Sequence, residues 1–240
     1  MEAGRLNRYI ARAGVCSRRK ADGLIDRGLV KVNGVVVKKY WTHVYAGDIV
    51  EVNGQVISPR RFQYVLMNKP TDTITTTVDD RGRRTVLDLV SLDDKAGLFP
   101  VGRLDRNTTG VLVLTSDGDL AHRLMHPRWG VAKRYVARTK AEIPPELITR
   151  LCQGVELDDG PARADMAAYL NRSDRKTIGI EIHEGRNRLV RRMLAACGCE
   201  VESLDRVSFG NLTAKGVRRG KWRRLQPWEI NKLRRLVHLT

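Results

Sequence analysis

The sequence predicts an α+β protein in two parts: a small basic module over residues 1–59 and a larger, mostly antiparallel mixed-sheet domain over 60–240. Three observations carry this. Within the first sixty residues the apolar period switches from helical to strand-like. Beyond them, strand-like runs are scattered and non-repeating, with few long helices between them, a pattern of α+β rather than doubly wound α/β folds. Neither a Gly-x-Gly-x-x-Gly fingerprint nor a Walker phosphate loop occurs. A chain of 240 residues can bury a core of its own, and its 42% hydrophobic content argues against disorder.

In the first part, Leu6, Ile10 and Ala13 follow helical spacing, with Gly14 as the stop. Ser17 can cap a second helix whose apolar face is Ala21, Leu24 and Ile25, and Gly28 closes it. Leu29-Val30-Lys31-Val32 then reads as a strand, Asn33-Gly34 as a tight turn and Val35-Val36-Val37 as the return. A further hairpin runs from Asp48 to Val52, turns at Asn53-Gly54 and returns through Ile57. Ser58-Pro59-Arg60-Arg61 is the expected linker.

The second part opens with the strand Phe62–Met67, ended by Asn68-Lys69-Pro70. Residues 71–84 are too polar for a core and read as a loop or hairpin. Thr85–Val90 reads as a short helix capped at Thr85. Val111–Thr115 is a strand, and Gly118–Met125 a helix ended by His126-Pro127. Lys133–Arg138 is the next strand; Pro144-Pro145 starts a helix with Leu147, Ile148 and Leu151 inward. Thr177–Ile182 alternates cleanly as a strand, and residues 189–194 form a helix that packs on the sheet. Pro227-Trp228-Glu229-Ile230 opens a final helix carrying Leu233 and Leu236.

Forty-four Lys and Arg against 27 Asp and Glu give +17 at pH 7, which calls for a partner of opposite sign. Nucleic acid comes first and an anionic membrane surface second. Insertion into a membrane is not expected, since no 18-residue apolar run exists, and neither is a secretory signal. Cys16, Cys152, Cys197 and Cys199 are scattered, as thiols of a reducing cytosol are, and Cys-Gly-Cys lacks zinc-ligand spacing. His122 and His126 lack the glutamate of a zinc-protease helix, so no metal is expected. No exposed apolar stripe argues for self-association, so a monomer is the default.

Charge is concentrated in three places. Residues 1–39 hold ten Lys or Arg and three acids, with Arg12, Arg18 and Arg19 around the turn between the helices. This is either a phosphate-gripping face or a solvated one. Arg186, Arg188, Arg191 and Arg192 lie at or near a helix start, which is either an anion site or a solvated basic helix. Finally, Gly102-Arg103-Leu104-Asp105-Arg106 runs straight into the apolar strand. Flanking guanidinium groups keep Asp105 ionised, as a nucleophile, a base or half of a structural ion pair.

Residues 5–19, followed by Gly28-Leu29-Val30-Lys31-Val32-Asn33-Gly34, closely resemble an S4 RNA-binding domain. The larger part resembles bacterial ribosomal RNA pseudouridine synthases of the RsuA/RluB branch. The likeness rests on Gly102-Arg103-Leu104-Asp105 with Thr109–Gly118, on Leu124-Met125-His126-Pro127 with Lys133-Arg134-Tyr135, and on Glu184–Met193. Asn107–Gly110, Gly154–Ala162 and Arg219–Trp222 are more like the large-subunit, RluB-type members than the small-subunit ones.

The resemblance implies a pseudouridine synthase domain behind an S4 domain, with no cofactor. The implied reaction isomerises a uridine, in 23S rRNA first and 16S rRNA second. Asp105 then corresponds to the reacting carboxylate, Tyr135 to the ring that packs on the base, and Arg191 to the carboxylate's basic partner. Arg5, Arg8, Arg12, Arg18 and Arg19 would dock structured RNA, with Arg103, Arg186, Asn187, Arg188 and Arg192 around the site. The implied partner is ribosomal RNA or a ribosomal assembly intermediate, in the cytoplasm. Leu189 departs from the relatives, which commonly carry Glu or Gln there; it leaves the catalytic set intact and bears on local RNA contacts. The rival classes are a non-catalytic RNA-binding or ribosome-assembly protein and, more weakly, a DNA-binding regulator.

Overall fold

The computed structural model describes residues 2–92, 95, 97–171 and 173–239. They form two compact units: residues up to Gln63 with Leu92, Lys95, Gly97 and Leu98, and residues 64–91 with those from Phe99 onward.

The first unit begins with β1 (Glu2–Arg5) and α1 (Leu6–Arg12), followed by α2 (Arg18–Asp26). The Ser17 hydroxyl accepts a hydrogen bond from the Lys20 amide at 3.4 Å, and Gly28 leaves the helix at φ +71°. Then come β2 (Val30–Val32), β3 (Val35–Val36), β4 (His43–Tyr45), β5 (Val50–Val52) and β6 (Gln55–Ile57). A four-stranded sheet runs β3-β2-β5-β6, and β1 pairs with β4. Asn33-Gly34 and Asn53-Gly54 have positive φ at both positions, the mirror-image turn that matches strand twist. Leu6, Ile10, Ala21, Ile25, Val30, Val44 and Val50 are buried in one core. Neither β1 nor β4 is foreseen, because they pair with each other across the sequence and no Asn-Gly turn joins them as one joins each foreseen hairpin.

The second unit is built from β7 (Tyr64–Lys69), β8 (Phe99–Pro100), β9 (Thr108–Thr115), α3 (Gly118–Met125), β10 (Lys133–Thr139) and α4 (Pro145–Gln153). It continues through β11 (Met166–Asn171), β12 (Asp174–Ile182), α5 (Leu189–Ala196), β13 (Val201–Phe209), β14 (Leu212–Thr213), β15 (Trp222–Arg224) and α6 (Pro227–Leu236). Its sheet runs β11-β12-β10-β13-β9-β7-β15, with β14 on β13 and β8 on β9. Among the described residues β13 and β9 pair in parallel and the other neighbours are antiparallel, which is the mixed α+β sheet expected. No helix among the described residues is long and apolar enough to cross a membrane.

Leu120 and Leu124 of α3, Leu233 of α6 and Val237 just after it pack with Leu66, Val111 and Val113 of the sheet. Asp117 caps α3 by accepting from the Leu120 amide at 3.1 Å, and its other oxygen accepts from the Tyr64 hydroxyl at 2.8 Å. In α4 the expected inward set narrows to Leu151; Leu147 and Ile148 are only half-buried.

Thr85–Val90 is not helical. The amide of Thr85 donates to Asp88 and that of Asp88 to Thr85 Oγ1, so the expected capping bonds form, but a run of turns follows them. Ile74 pairs with Thr85 in a parallel bridge, and Val86 N donates to Ile74 O at 3.0 Å. Those bonds hold the start of the segment extended, and six residues cannot offset the cost of nucleating a helix.

Gly110 lets β9 approach β13. It sits at φ +106°, and a Cβ there would lie 2.2 Å from Arg206 O and 2.7 Å from Arg206 N. Gly110→Ala should therefore lose about 3 kcal/mol or more of unfolding free energy in urea. Gly54→Ala, at φ +77° with nothing within 4 Å, should lose about 1 kcal/mol. Equal losses would show that the close strand approach is not the constraint.

Candidate active site

Asp105 lies in the turn that feeds β9, and the turn is held from several sides. Lys69, the last residue of β7, is fully buried. Its ammonium donates to the carbonyls of Thr108 at 2.9 Å, Asp105 at 3.0 Å, and Pro70 and Arg106 at 3.1 Å. Burial pushes this lysine down to about 8, while the negative charge of Asp105 pulls the other way. Thr75 Oγ1 donates to Leu104 O at 2.8 Å and accepts from Leu104 N at 3.3 Å. Thr108 N closes the turn on Asp105 O at 3.0 Å.

The cations expected beside Asp105 are Arg103 and Arg106 from its flanks and, by the resemblance, Arg191. Instead Arg106 turns away to pair with Asp72, and Arg103 is exposed at the cavity wall. The carboxylate of Asp105 meets Arg188 Nη1 at 3.7 Å and Arg191 Nε at 3.9 Å, across the sequence rather than along it. Both separations exceed hydrogen-bond length, so the charges interact while the oxygens stay open to a reacting atom. Burial pushes the Arg191 guanidinium down, Arg188 adds to the push and Asp105 opposes it. Its Nη1 also donates to Val201 O at 3.2 Å. Arg188, the residue before α5, holds φ +50°, a strained value for a long side chain.

Asp105, Tyr135, Arg188 and Leu189 line one cavity of about 710 Å³. Tyr135 belongs to an alternating strand in which Lys133, Tyr135, Ala137 and Thr139 are buried. Leu189 is 4% exposed and presents an apolar wall to the cavity. A carboxylate with open oxygens beside a buried aromatic ring suits attack on, or proton removal from, a flat heterocycle's sugar.

The four arginines of the α5 region do not act together. Arg186 pairs with Glu184 and Asp159 and donates to the carbonyls of Gly160 at 2.9 Å and Pro161 at 2.7 Å. Arg192 also pairs with Asp159, holding that carboxyl down at about 2. Arg186 and Arg192 thus brace the 158–161 turn, while Arg188 and Arg191 face Asp105. Asn187 is exposed at the cavity wall. In the first unit, Arg5, Arg18 and Arg19 are exposed and Arg8 is half-buried. Arg12 stacks 4.5 Å from the Phe62 ring centroid and donates to Arg60 O at 3.4 Å.

Sequence reasoning missed Lys69 and two further buried cations on the cavity wall, Lys133 and Arg206. Lys133 donates to Val131 O at 3.0 Å and His183 O at 2.9 Å, and burial pushes it down to about 8. One signal existed: each stands in an apolar strand register where a surface lysine or arginine has no place.

The family model for RNA pseudouridylate synthases matches residues 63–196, and that for the S4 domain matches residues 4–50. The chain is 42% identical to the ribosomal large subunit pseudouridine synthase B of Bacillus subtilis, over 97% of this chain and 96% of that one. It is 38% identical to the protein of the same name from Vibrio vulnificus, over 98% of this chain and 76% of that one. A crystal structure of a pseudouridylate synthase superposes with a TM-score of 0.68 at 27% identity, over 96% of this chain and all of that one. The chain belongs to the RNA pseudouridine synthase family, with an S4 domain at its N-terminal end.

Proposed function

We propose that this enzyme isomerises a uridine of 23S ribosomal RNA to pseudouridine, with Asp105 as the reacting carboxylate. The observation that carries the proposal is Asp105 held 3.9 Å from Arg191 at the wall of a cavity that Tyr135 shares. The large-subunit substrate follows the names of the relatives from Bacillus subtilis and Vibrio vulnificus. Charge of +17 and an S4 domain supply RNA affinity through phosphates, with Arg5, Arg8, Arg18 and Arg19 on the S4 unit as the docking side chains. Arg103, Asn187 and Arg188 meet RNA at the cavity. Arg12, on Phe62, and Arg186 and Arg192, on Asp159, serve it by bracing. The enzyme acts as a monomer in the cytoplasm, on ribosomal RNA or an assembly intermediate, and uses no cofactor.

The target base leaves its stack and enters the cavity at a cost of a few kcal/mol, offset by RNA contacts elsewhere. Asp105 attacks C1′ or takes the C2′ proton, and the N1–C1′ bond breaks. Tyr135 gives the freed ring a face to turn on; C5 then bonds to C1′ as Asp105 leaves that carbon or returns the C2′ proton, and the C5 proton passes to N1. Arg191 stands beside the Asp105 carboxylate, where its charge opposes the negative charge before the attack and again on release.

Asp105→Asn should fold and bind rRNA yet form no pseudouridine; product in a tritium-release assay with this variant would contradict the assignment. Mapping pseudouridines in cells with and without the gene should show one 23S position lost, and a lost 16S position would reverse the substrate.

The Lys69 clamp has its own pH signature. Since its ammonium titrates at about 8 in the folded chain, activity should fall as pH rises through that value. Stability should not fall with it. A lysine shifted downward leaves the unfolded chain binding more protons from about pH 8 up to the ordinary value near 10.4, so unfolding free energy rises there. Lys133 titrates in the same range, so Lys133→Met serves as control and should keep the limb. Activity unchanged to pH 10, or lost only as the chain unfolds in urea, would rule the clamp out.

A further inference from the structure

The strand next to Tyr135 carries a buried positive charge to which the proposal above gives no part. Antiparallel pairing of β10 and β13 sets Arg206 opposite Tyr135, so the two side chains leave the same face of the sheet. Both line the cavity that holds Asp105. Arg206 is 2% exposed. Its Nε donates to Val111 O at 2.8 Å, and its guanidinium carbon stands 5.1 Å from the Phe209 ring centroid. Its Nη2 is buried without a hydrogen-bond partner among the described residues.

Among the described residues no carboxylate forms an ion pair with this charge. Asp205, its neighbour in sequence, pairs with Arg219, and Asp105 pairs with Arg188 and Arg191. Lys133 stands one step along the same wall, and the charge of Arg206 helps to depress it. An arginine cannot shed its proton, and an unpaired buried charge costs several kcal/mol. A wall of that kind fits an anion present only during the reaction.

Isomerisation makes such an anion. When N1–C1′ breaks, its electron pair leaves with the uracil and spreads over N1, O2 and O4. Asp105 loses its charge at that moment, by bonding to C1′ or by taking the C2′ proton. One negative charge thus passes from the carboxylate to the base by either route. When C5 bonds to C1′ the pair returns, Asp105 is ionised again, and the C5 proton ends on N1. Arg188 and Arg191 favour the charge on Asp105. We propose that Arg206, with Lys133 behind it, favours the charge on the detached uracil. Its Nη2 is out of reach of water, so Arg206 acts through its field and is a supporting residue rather than one that touches the base.

This rests on the pseudouridine synthase reading of the cavity, and the test keeps the two apart. Single-turnover loss of the N1-linked target nucleoside, the step common to both substrates, is measured on 23S rRNA transcripts made with uridine or with 5-fluorouridine, whose ring bears negative charge more readily and carries fluorine in place of the C5 hydrogen. Wild type must convert the uridine transcript and Asp105→Asn must not; failure there removes the reaction itself. Given that, Arg206→Met should slow the uridine transcript by about 10²-fold or more while RNA affinity stays within about twofold. The loss should be clearly smaller on the fluorinated transcript, and Arg206→Lys should restore part of the rate. If Arg206→Met does not fold, the same ratio between transcripts is read from Arg206→Lys. Equal losses on both transcripts, or a wild-type rate, would overturn the proposal by leaving Arg206 a packing role.

Discussion

Everything at the site depends on one buried ammonium group. Lys69 accounts for four carbonyls on either side of the Asp105 turn, and a buried carbonyl without a donor costs about 1–3 kcal/mol. An apolar residue of similar length would take this donor from all four, leaving Asp105 O and Arg106 O the amides of Thr108 and Thr73, and a neutral amine would hold them less firmly. The clamp explains how a short polar turn stays in one conformation at the edge of a cavity. It also explains why β7 ends where it does, since Lys69 pairs with Gly110 and reaches the turn from directly beneath.

The positive charge of the chain serves three physical purposes. Exposed arginines of the S4 unit cost little to keep and act at a distance on a polyanion. Arg186 and Arg192 meet Asp159 in partly exposed pairs whose value lies in fixing a turn more than in stability. Lys69, Lys133 and Arg206 are buried, where each charge is expensive and its field strong. Together with Arg188 and Arg191 they surround Asp105 with cations on more than one side. That arrangement tolerates a negative charge wherever it sits within the cavity, and a reaction that moves one needs this tolerance.

Local rules made much of the molecule legible. Ser17 and Gly28 bound α2, the two Asn-Gly pairs turn their hairpins, and Asp117 caps α3, because each acts within four residues of itself. The site was legible as a set of residue types in order, and Asp105, Tyr135 and Arg191 do share one region of the second unit. Thr85–Val90 went the other way: its capping bonds form, but a bridge to Ile74 overrides them. The arginine cluster before α5 reads as one site in sequence and divides in space, since Asp159 draws two of its members and Asp105 the other two.

The sequence by itself determined the two-part α+β organisation and the basic character of the first module, and resemblance to a family named Asp105, Tyr135 and Arg191 as candidates. Periodicity, turn chemistry and motif order are all short-range in the chain. Which charge faces which was decided only by tertiary structure. Ion pairs and buried donors depend on distances between strands far apart in sequence: Lys69 reaches 36 residues to Asp105, and Arg206 reaches 95 residues to Val111. A Coulomb interaction falls with separation in space and is blind to separation along the chain, so no linear pattern reports it.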